Sequence, residues 1–402
     1  MKRFWRILSI FGIVLIGGLS ACTFPAGQNS SIGEAATSTV AEDEAGVAQA
    51  DTESTATEED GGVEVDSIAK ELNPLTGLPV AAEQLEHRPV AVKITNYPRS
   101  NRPQWGLSYA DIVYEYYHNN ELTRFHAIFY GEDADMAGPI RSGRLLDDYL
   151  VDMYESVLVF ASADYRILDR LRSEHPRWQT IFLLEGTCPP SPVCRYQPAT
   201  HNYLLADTAE VSAYSEDLEG DGFSAPILSG MSFSAQPSEQ GEQVEQINIS
   251  YSYSAYSYWQ YDAEIELYRR YQDNQEDLGG AGEDFRLLSD RLNNEAIRTA
   301  NVVVLLMPHY FSYYRAPSGD TPASEIVDMN FLGRGEAFAF RDGMVYQLDW
   351  VNDGDQLLYL EDSNGEEFAL KPGKTWFQVM TDSSFFEKDG THWRFNFVFP
   401  KP

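Results

Sequence analysis

Short apolar runs alternate with amphipathic segments in the first half of the folded part of this chain. The runs of strand length are residues 90–94, 112–114, 124–130, 157–160 and 181–184. Residues 144–154 and a segment around Leu171 instead place apolar side chains three and four positions apart, the spacing of one helix face. This succession of strands and helices predicts a mixed α/β sheet.

The second half has the two-residue period of β-strands. Ile247, Ile249 and Tyr251 alternate with polar Asn and Ser residues, and the pattern changes phase near Ala255, which indicates a bulge or a turn. Four glycine turns separate the later strands and end at Gly343, Gly354, Gly365 and Gly373. This spacing predicts a small antiparallel sheet or barrel.

Together these patterns predict an α+β fold in two domains. A mixed α/β N-terminal domain covers residues 67–236, and a mainly antiparallel β C-terminal domain covers residues 237–402. The polar segment 236–246 would form the loop that joins them. A folded part of this length can bury a substantial core in each domain.

The N-terminus has the order of a bacterial lipoprotein signal. Three basic residues precede an apolar stretch over residues 7–19, which is shorter than the ~20 residues that a transmembrane helix needs. The stretch closes on Leu19-Ser20-Ala21-Cys22. We therefore predict a signal peptide over residues 1–22 and a lipid anchor, such as palmitate, on Cys22. The alternative is an ordinary secretory signal in which Cys22 is incidental.

Residues 23–66 have the composition of a disordered acidic linker. They contain eleven Asp and Glu residues, no Lys or Arg, and a single aromatic residue, Phe24. Such a segment cannot bury enough apolar surface to offset its chain entropy. We expect a spacer that holds the folded part away from the lipid surface at the extracytoplasmic face of a cell membrane. A specific acidic interaction tail is the alternative.

The charge of the chain excludes two classes of partner. Its formal net charge is −33, and −25 of this falls on residues 67–402. A folded part with this much negative charge is a poor partner for nucleic acid or for an anionic membrane surface. The expected contact with the membrane is therefore the N-terminal lipid alone.

Two cysteines remain once Cys22 carries lipid. Cys188 and Cys194 flank a Pro-rich stretch, and outside the cytoplasm we expect them to form a local disulfide. A metal site would need His or further Cys at ligand spacing, and none is near. We predict neither a metal nor a cofactor.

The strongest candidate site is the segment Gly138-Pro139-Ile140-Arg141-Ser142-Gly143-Arg144, which precedes a predicted helix. Backbone N–H groups at a helix start favour an anion, and Arg141 and Arg144 could donate to a carboxylate or phosphate, with Ser142 between them. The same arginines could instead pair with Asp147 or Asp148, and the sequence leaves both interpretations open.

Further polar residues could extend this site. Arg102 and Arg124 could add positive charge. Candidates for acid–base work are His126, Asp111, Glu115 and Asp164. Asp164 follows an apolar strand, where α/β sheets place ligands. Neither a Gly-x-Ser-x-Gly elbow nor a Walker loop, a dinucleotide fingerprint or a zinc-binding helix is present.

These segments resemble the YerB-like bacterial lipoproteins, a family built on a two-part domain of unknown function. The matching stretches include Asn73-Pro-Leu-Thr-Gly-Leu78, 88–92, 96–115, Thr123-Arg-Phe125, Gly138-Pro-Ile-Arg-Ser142, 333–335, 340–343, Trp350 and 370–376. The resemblance implies a cell-envelope lipoprotein with an N- and a C-terminal domain, and it supplies no reaction or catalytic residue. The Cys188–Cys194 loop departs from the family pattern.

Two functions fit these observations. The first is a membrane-anchored lipoprotein that binds or scaffolds an anionic cell-envelope ligand or a protein partner without catalysis. The second is an enzyme, a hydrolase or phosphotransferase acting on envelope polymers. The enzyme requires Asp111, Glu115 and His126 to reach one cleft.

Overall fold

The computed structural model describes residues 70–182, 191–196, 204–238, 240–278, 282–314 and 324–399. These residues all belong to one compact unit, Val65–Pro402. The predicted signal peptide, Cys22, the acidic linker and Cys188 lie outside the described residues. The predicted disulfide therefore stays a prediction, and its other half, Cys194, lies in a short buried strand.

Strands are far more numerous than helices in the described residues. The helices are α1 (Leu145–Tyr154), α2 (Tyr165–Glu174) and α3 (Thr208–Glu219). The strands before α3 are β1 (Lys70–Leu72), β2 (Pro79–Ala81), β3 (Val90–Thr95), β4 (Ile112–Asn119), β5 (Leu122–Phe129), β6 (Val157–Phe160), β7 (Thr180–Phe182), β8 (Val193–Arg195) and β9 (Leu204–Ala206).

The strands after α3 number fifteen in the described residues. They are β10 (Glu242–Gln243), β11 (Gln246–Ser252), β12 (Ala255–Asp262), β13 (Leu267–Asp273), β14 (Phe285–Leu287), β15 (Arg298–Thr299), β16 (Asn301–Met307), β17 (His309–Tyr314), β18 (Ser324–Met329), β19 (Gly333–Arg341), β20 (Met344–Asn352), β21 (Tyr359–Glu361), β22 (Thr375–Thr381), β23 (Phe385–Asp389) and β24 (His392–Asn396).

Eleven of these strands form one mixed sheet. Its order is β10-β20-β19-β16-β22-β4-β5-β3-β6-β7, with β21 pairing to β20. β4 and β22 are parallel neighbours, with Ile112 opposite Thr375. Strands from both predicted domains therefore belong to one sheet, and the predicted boundary at residues 236 and 237 does not separate two sheets. The segment predicted as a joining loop contains β10, which forms one edge of this sheet.

A seven-stranded sheet packs on one face of the large sheet. Its order is β14-β13-β12-β11-β24-β23, with β15 pairing to β13. Trp259 on β12 contacts Trp376 on β22, with ring centroids 5.2 Å apart. The Tyr251 hydroxyl donates to the backbone carbonyl of Glu115 at 2.9 Å, which joins β11 to β4. The core between the two sheets is thus rich in aromatic side chains.

Helix α1 covers part of the other face of the large sheet. The hydroxyls of Tyr114 on β4 and Tyr154 on α1 lie 2.8 Å apart, and both side chains are buried. Within the described chain, no helix is both long and apolar enough to span a membrane.

The predicted fold class is correct in part. The chain is mainly β with some helices, in several mostly antiparallel sheets. The predicted α/β pattern is limited to β3, β6 and β7, which pair in parallel, and to the helices α1 and α2 that precede β6 and β7. The strand prediction for residues 112–114 was too short because β4 continues through Tyr116 and Tyr117, whose aromatic rings suit a buried strand. The predicted phase change near Ala255 is confirmed as the β11–β12 hairpin, whose register shifts at residues 250–252.

Candidate functional site

The candidate site lies where β3 and β6 end and the segment 139–144 crosses between them. The backbone N–H of Arg141 donates to the carbonyl of Lys93 at 2.8 Å, and the N–H of Gly143 donates to the carbonyl of Ser162 at 2.7 Å. The segment is therefore fixed on both sides before α1 begins at Leu145. This confirms the predicted turn followed by a helix.

Strands β3 and β5 place basic side chains on the face of the sheet that α1 covers, next to Tyr116 on β4. Lys93 on β3 lies directly opposite His126 on β5. Arg124, two residues before His126, projects from the same face because side chains alternate along a strand. Arg124 in turn lies opposite Tyr116 on β4.

Asp147 on α1 is the carboxylate at the centre of this face. Its Oδ1 lies 2.9 Å from Lys93 Nζ and 2.8 Å from His126 Nδ1, and none of the three side chains is exposed. Its Oδ2 accepts the backbone N–H of Arg144 at 2.6 Å. Burial raises the pKa of Asp147, but the charge of Lys93 and the hydrogen bond with His126 outweigh burial and hold it below its usual range.

Lys93 is a charged residue in a fully buried strand. Its Nζ lies 4.0 Å from the centre of the Tyr116 ring, a cation–π contact. Burial lowers the pKa of Lys93 to about 7, against the attraction of Asp147, and the charges of Arg124 and Arg144 lower it further. The ion pair with Asp147 therefore holds a charge that burial opposes.

Arg124 and Arg144 are held side by side by one backbone carbonyl. The Nη1 atoms of Arg124 and Arg144 lie 2.7 Å and 3.4 Å from the carbonyl oxygen of Ser142, and Arg144 also donates to the carbonyl of Gly143 at 2.8 Å. Neither guanidinium forms an ion pair with a carboxylate of the described chain. The pairing with Asp147 or Asp148 that the sequence left open is thus absent for Arg144.

Burial lowers the pKa of both arginines, and repulsion from neighbouring arginines lowers that of Arg124 further. Burial lowers the pKa of Arg124 well below its usual value, and the neighbouring charges of Arg144 and Arg141 lower it further. Burial also lowers the pKa of Arg144 to about 10, although Asp147 and Asp164 attract its proton. Positive charges concentrated without carboxylate partners provide an anion-binding surface.

His118 lies beneath the arginines. Its Nδ1 is 3.4 Å from Arg144 Nη2, and the side chain is buried. Burial lowers the pKa of His118 well below its usual value, and Arg124, Arg144 and Lys93 add to the effect by repulsion. The imidazole is therefore neutral at pH 7 and does not add to the charge of the cluster.

The rim of the site carries hydroxyl groups and a paired carboxylate. The Ser142 and Ser162 hydroxyls lie 2.5 Å apart and are accessible to solvent. Asp164 caps α2 by accepting the N–H of Arg166, and it also pairs with the guanidinium of that residue at 2.8 Å. Its charge still acts on Arg144.

The structure brings six of the predicted site residues together. They are Arg124, His126, Arg141, Ser142, Arg144 and Asp164. It places Arg102, Asp111 and Glu115 elsewhere, so the acid–base set that the enzyme hypothesis requires is not assembled. Lys93 and His118 were missed, although a lysine inside the apolar run 90–94 was a signal of a buried, paired charge.

Arg102 belongs to a separate ion pair. Its Nη1 and Nη2 atoms each lie 3.2 Å from a carboxylate oxygen of Asp273 on β13, and its Nε donates to the carbonyl of Asn96. The expectation that Arg102 joins the anion site needs correction, because its guanidinium pairs with Asp273, a carboxylate that it shares with Arg99.

Glu115 faces the opposite side of the sheet from His126. The register places Glu115 against Phe125 and Tyr114 against His126, so alternation separates the two side chains. Glu115 Oε2 lies 2.6 Å from Arg270 Nη2 in the core between the sheets.

Asp111 lies just before β4, at the end of that strand away from His118. It accepts backbone N–H groups of Tyr130 and Gly131 at 2.7 and 2.8 Å, and Asn73 donates to it at 3.2 Å. Burial raises the pKa of Asp111 to about 6, in spite of these hydrogen bonds. Its contacts fix a turn rather than a site.

The fold and the cluster together define a mainly β protein with a basic, partly buried site built on a mixed sheet. The chain belongs to the family described as protein of unknown function DUF3048. The N-terminal domain of that family matches residues 75–214, and its C-terminal domain matches residues 247–377. The resemblance to YerB-like proteins is therefore confirmed.

A curated relative and a solved structure agree with this membership. The chain is 26% identical over 327 residues to "Putative lipoprotein YerB" of Bacillus subtilis (strain 168), covering 79% of this chain and 89% of that protein. The crystal structure of YerB from Bacillus subtilis matches with a TM-score of 0.61 and 23% identity, covering 77% of this chain and 97% of that chain. The second comparison shows the fold alone.

Proposed function

We propose that this protein is a lipid-anchored lipoprotein of the extracytoplasmic face that binds an anionic cell-envelope ligand at the arginine cluster. We define the arginine cluster as Arg124, Arg141, Ser142 and Arg144. The observation that carries the proposal is the pair of guanidinium groups on Arg124 and Arg144, which share one carbonyl and have no carboxylate partner in the described chain.

The acidity of the chain makes this cluster unusual. In a folded part with a charge of −25, about half of the described arginines pair with a carboxylate, as Arg102 does with Asp273, whereas the adjacent and partly buried Arg124 and Arg144 do not. Leaving two adjacent arginines without such partners costs free energy, because like charges repel. An anionic ligand that neutralises them would recover this free energy, which is a physical reason for retaining the arrangement.

The anchor is supported by the sequence and by the relative. Leu19-Ser20-Ala21-Cys22 closes a signal of the lipoprotein type, and the relative from Bacillus subtilis is named as a lipoprotein. A lipid on Cys22 would contribute about 0.8 kcal/mol of membrane affinity per buried methylene. The acidic linker would then let the folded part reach ligands beyond the lipid surface.

The ligand part of the proposal is tested by sedimentation with an anionic cell-wall fraction. The full-length protein, purified in mild detergent, should sediment with the fraction at low salt and be released at high salt, since screening weakens ion pairing. The Arg124→Gln/Arg144→Gln double variant should remain in the supernatant.

An exposed arginine gives the matched control. Arg334 is 57% exposed and pairs with Asp349 and Glu361 at the surface, so Arg334→Gln removes one positive charge outside the cluster. This variant should sediment like the unmodified protein. Equal sedimentation of the double variant and the unmodified protein would show that the arginine cluster is not the binding site.

A further inference from the structure

We infer that the anion bound at the arginine cluster is a phosphate monoester, a tetrahedral group with two negative charges, rather than a carboxylate or a phosphodiester. The inference rests on the proposed function, because it assigns the chemical class of the ligand at that same site. It follows from the balance of charge around Asp147, the arrangement of the donors, and the hydroxyl groups at the rim.

The charge balance leaves two positive charges uncompensated. Below about pH 7, Lys93, Arg124 and Arg144 are all positive, and Asp147 is the carboxylate that faces them. Asp164 acts on Arg144 but is itself neutralised by Arg166.

The remaining neighbours do not reduce this excess. His118 and His126 are held neutral, since burial lowers the pKa of each. Arg141 does not reduce the excess of positive charge, because a positive side chain adds to the net charge unless an acid neutralises it. A ligand with two negative charges therefore restores neutrality, whereas a singly charged carboxylate or phosphodiester leaves one partly buried positive charge uncompensated.

The donors are also arranged for a tetrahedral group. The Arg124 side chain approaches from a strand and the Arg144 side chain from the start of a helix, and Ser142 O holds both. One bidentate guanidinium engages both oxygens of a planar carboxylate, whereas a phosphate monoester has three terminal oxygens and can offer a different pair of them to each of two guanidinium groups.

The rim favours a phosphate carried by a small compound rich in hydroxyls, such as a sugar or glycerol. The paired hydroxyls of Ser142 and Ser162 border the cluster and can each accept or donate to a ligand hydroxyl. Tyr165, which follows Asp164, is 75% exposed and offers a ring face to a sugar.

Calorimetric titration of the full-length protein in detergent at pH 6.5 separates these chemistries. The probes are methyl phosphate, dimethyl phosphate, acetate and glycerol 1-phosphate. At this pH Lys93 is mainly protonated, because its pKa is about 7, and a phosphate monoester is mainly doubly charged, because its second pKa is about 6. We expect methyl phosphate to bind roughly tenfold or more tightly than dimethyl phosphate or acetate, the effect of one further charge-assisted hydrogen bond.

Variants test whether the preference for methyl phosphate depends on the arginine cluster. Arg124→Gln and Arg144→Gln should each weaken methyl phosphate binding roughly tenfold, and Arg334→Gln should leave it unchanged. Ser162→Ala should weaken glycerol 1-phosphate binding without changing that of methyl phosphate. Unchanged melting temperatures for Arg334→Gln and Ser162→Ala show that these comparisons report binding and not folding.

The outcomes distinguish the inference from the function on which it rests. Equal affinity for acetate and methyl phosphate overturns the assignment of a phosphate monoester but leaves an anion site in place. If the unmodified protein binds none of the probes and also fails to sediment with cell-wall material, both the phosphate monoester assignment and the proposed function are overturned. Tight binding of methyl phosphate that survives both arginine substitutions also overturns the assignment, since the anion would then bind elsewhere.

Discussion

Replacing Lys93 with Met should destabilise the protein strongly, because the change removes one partner from a buried ion pair. Lys93 Nζ lies 2.9 Å from Asp147 Oδ1, and neither side chain is exposed. Removing one partner of such a pair costs about 3–5 kcal/mol, since the remaining charge stays buried. Met preserves most of the lysine stem, so packing against Tyr116 changes little.

This free energy converts into a shift of melting temperature. The unfolding entropy is about 2.1 cal/mol/K per residue, or roughly 0.7 kcal/mol/K for the compact unit Val65–Pro402. A loss of about 3–5 kcal/mol therefore lowers the melting temperature by about 4–7 °C. Urea unfolding followed by tryptophan fluorescence gives the free energy, and circular dichroism gives the melting temperature.

The pH dependence of Lys93→Met provides a sharper check. In the variant, Asp147 retains His126 as its buried partner, and a proton on His126 would compensate the carboxylate. The pKa of His126 should rise, so this stabilisation is present below its unfolded value of about 6.5 and is lost as the pH rises. The unfolding free energy that Lys93→Met loses relative to the unmodified protein should therefore be larger at pH 8 than at pH 6. A loss below about 1 kcal/mol at both values would refute the buried ion pair.

The double variant Lys93→Met/Asp147→Leu isolates the charge effect. It removes both charges of the pair, so it should recover part of the stability that Lys93→Met loses. Full recovery is not expected, because Asp147 also accepts the backbone N–H of Arg144. Additive losses from the two substitutions would mean that the pair is not coupled.

Other predictions concern the core, acid stability and anchoring. Glu115→Gln should lower the melting temperature more than Arg334→Gln, because Glu115 pairs with the fully buried Arg270 while Arg334 is exposed; parallel melts compare them. Acidification from pH 7.5 to 5 should lower the unfolding free energy by up to about 1.4 kcal/mol per pH unit for each histidine held neutral by burial, since the unfolded chain takes up protons below about 6.5. These histidines are His118, His126 and His309. A flat urea-stability profile would contradict their burial. Cys22→Ser should release the protein from the membrane fraction, and an unchanged distribution on immunoblots would count against a lipid anchor.

Local patterns in the sequence predicted individual elements well. The apolar run 157–160 is β6, and the helical spacing over residues 144–154 is α1 with a difference of one residue. Both depend on periodicity within a few residues, which the side-chain geometry of strands and helices fixes directly. The turn at Gly343 was also predicted, and it joins β19 to β20.

Contacts between residues far apart in the sequence could not be predicted, either for the fold or for the site. Nothing in either segment indicates that residues 112 and 375 are neighbours, so the single large sheet was not predicted. The same limit applies to arginines. Arg102 and Arg124 looked equivalent in the sequence, but Arg102 pairs with Asp273, which lies in a strand whose position depends on tertiary packing.

The pairing of β4 with β22 has a consequence for the synthesis of the chain and for the behaviour of its fragments. β4 lies between β5 and β22, so it keeps one open edge until a segment 263 residues later has been synthesised. An open edge strand recruits other chains, and contacts so distant in sequence form slowly. A fragment that ends between the two family domains should therefore aggregate, while the full-length chain remains soluble in detergent. Nearly the whole length of this protein must be available before the central sheet can close.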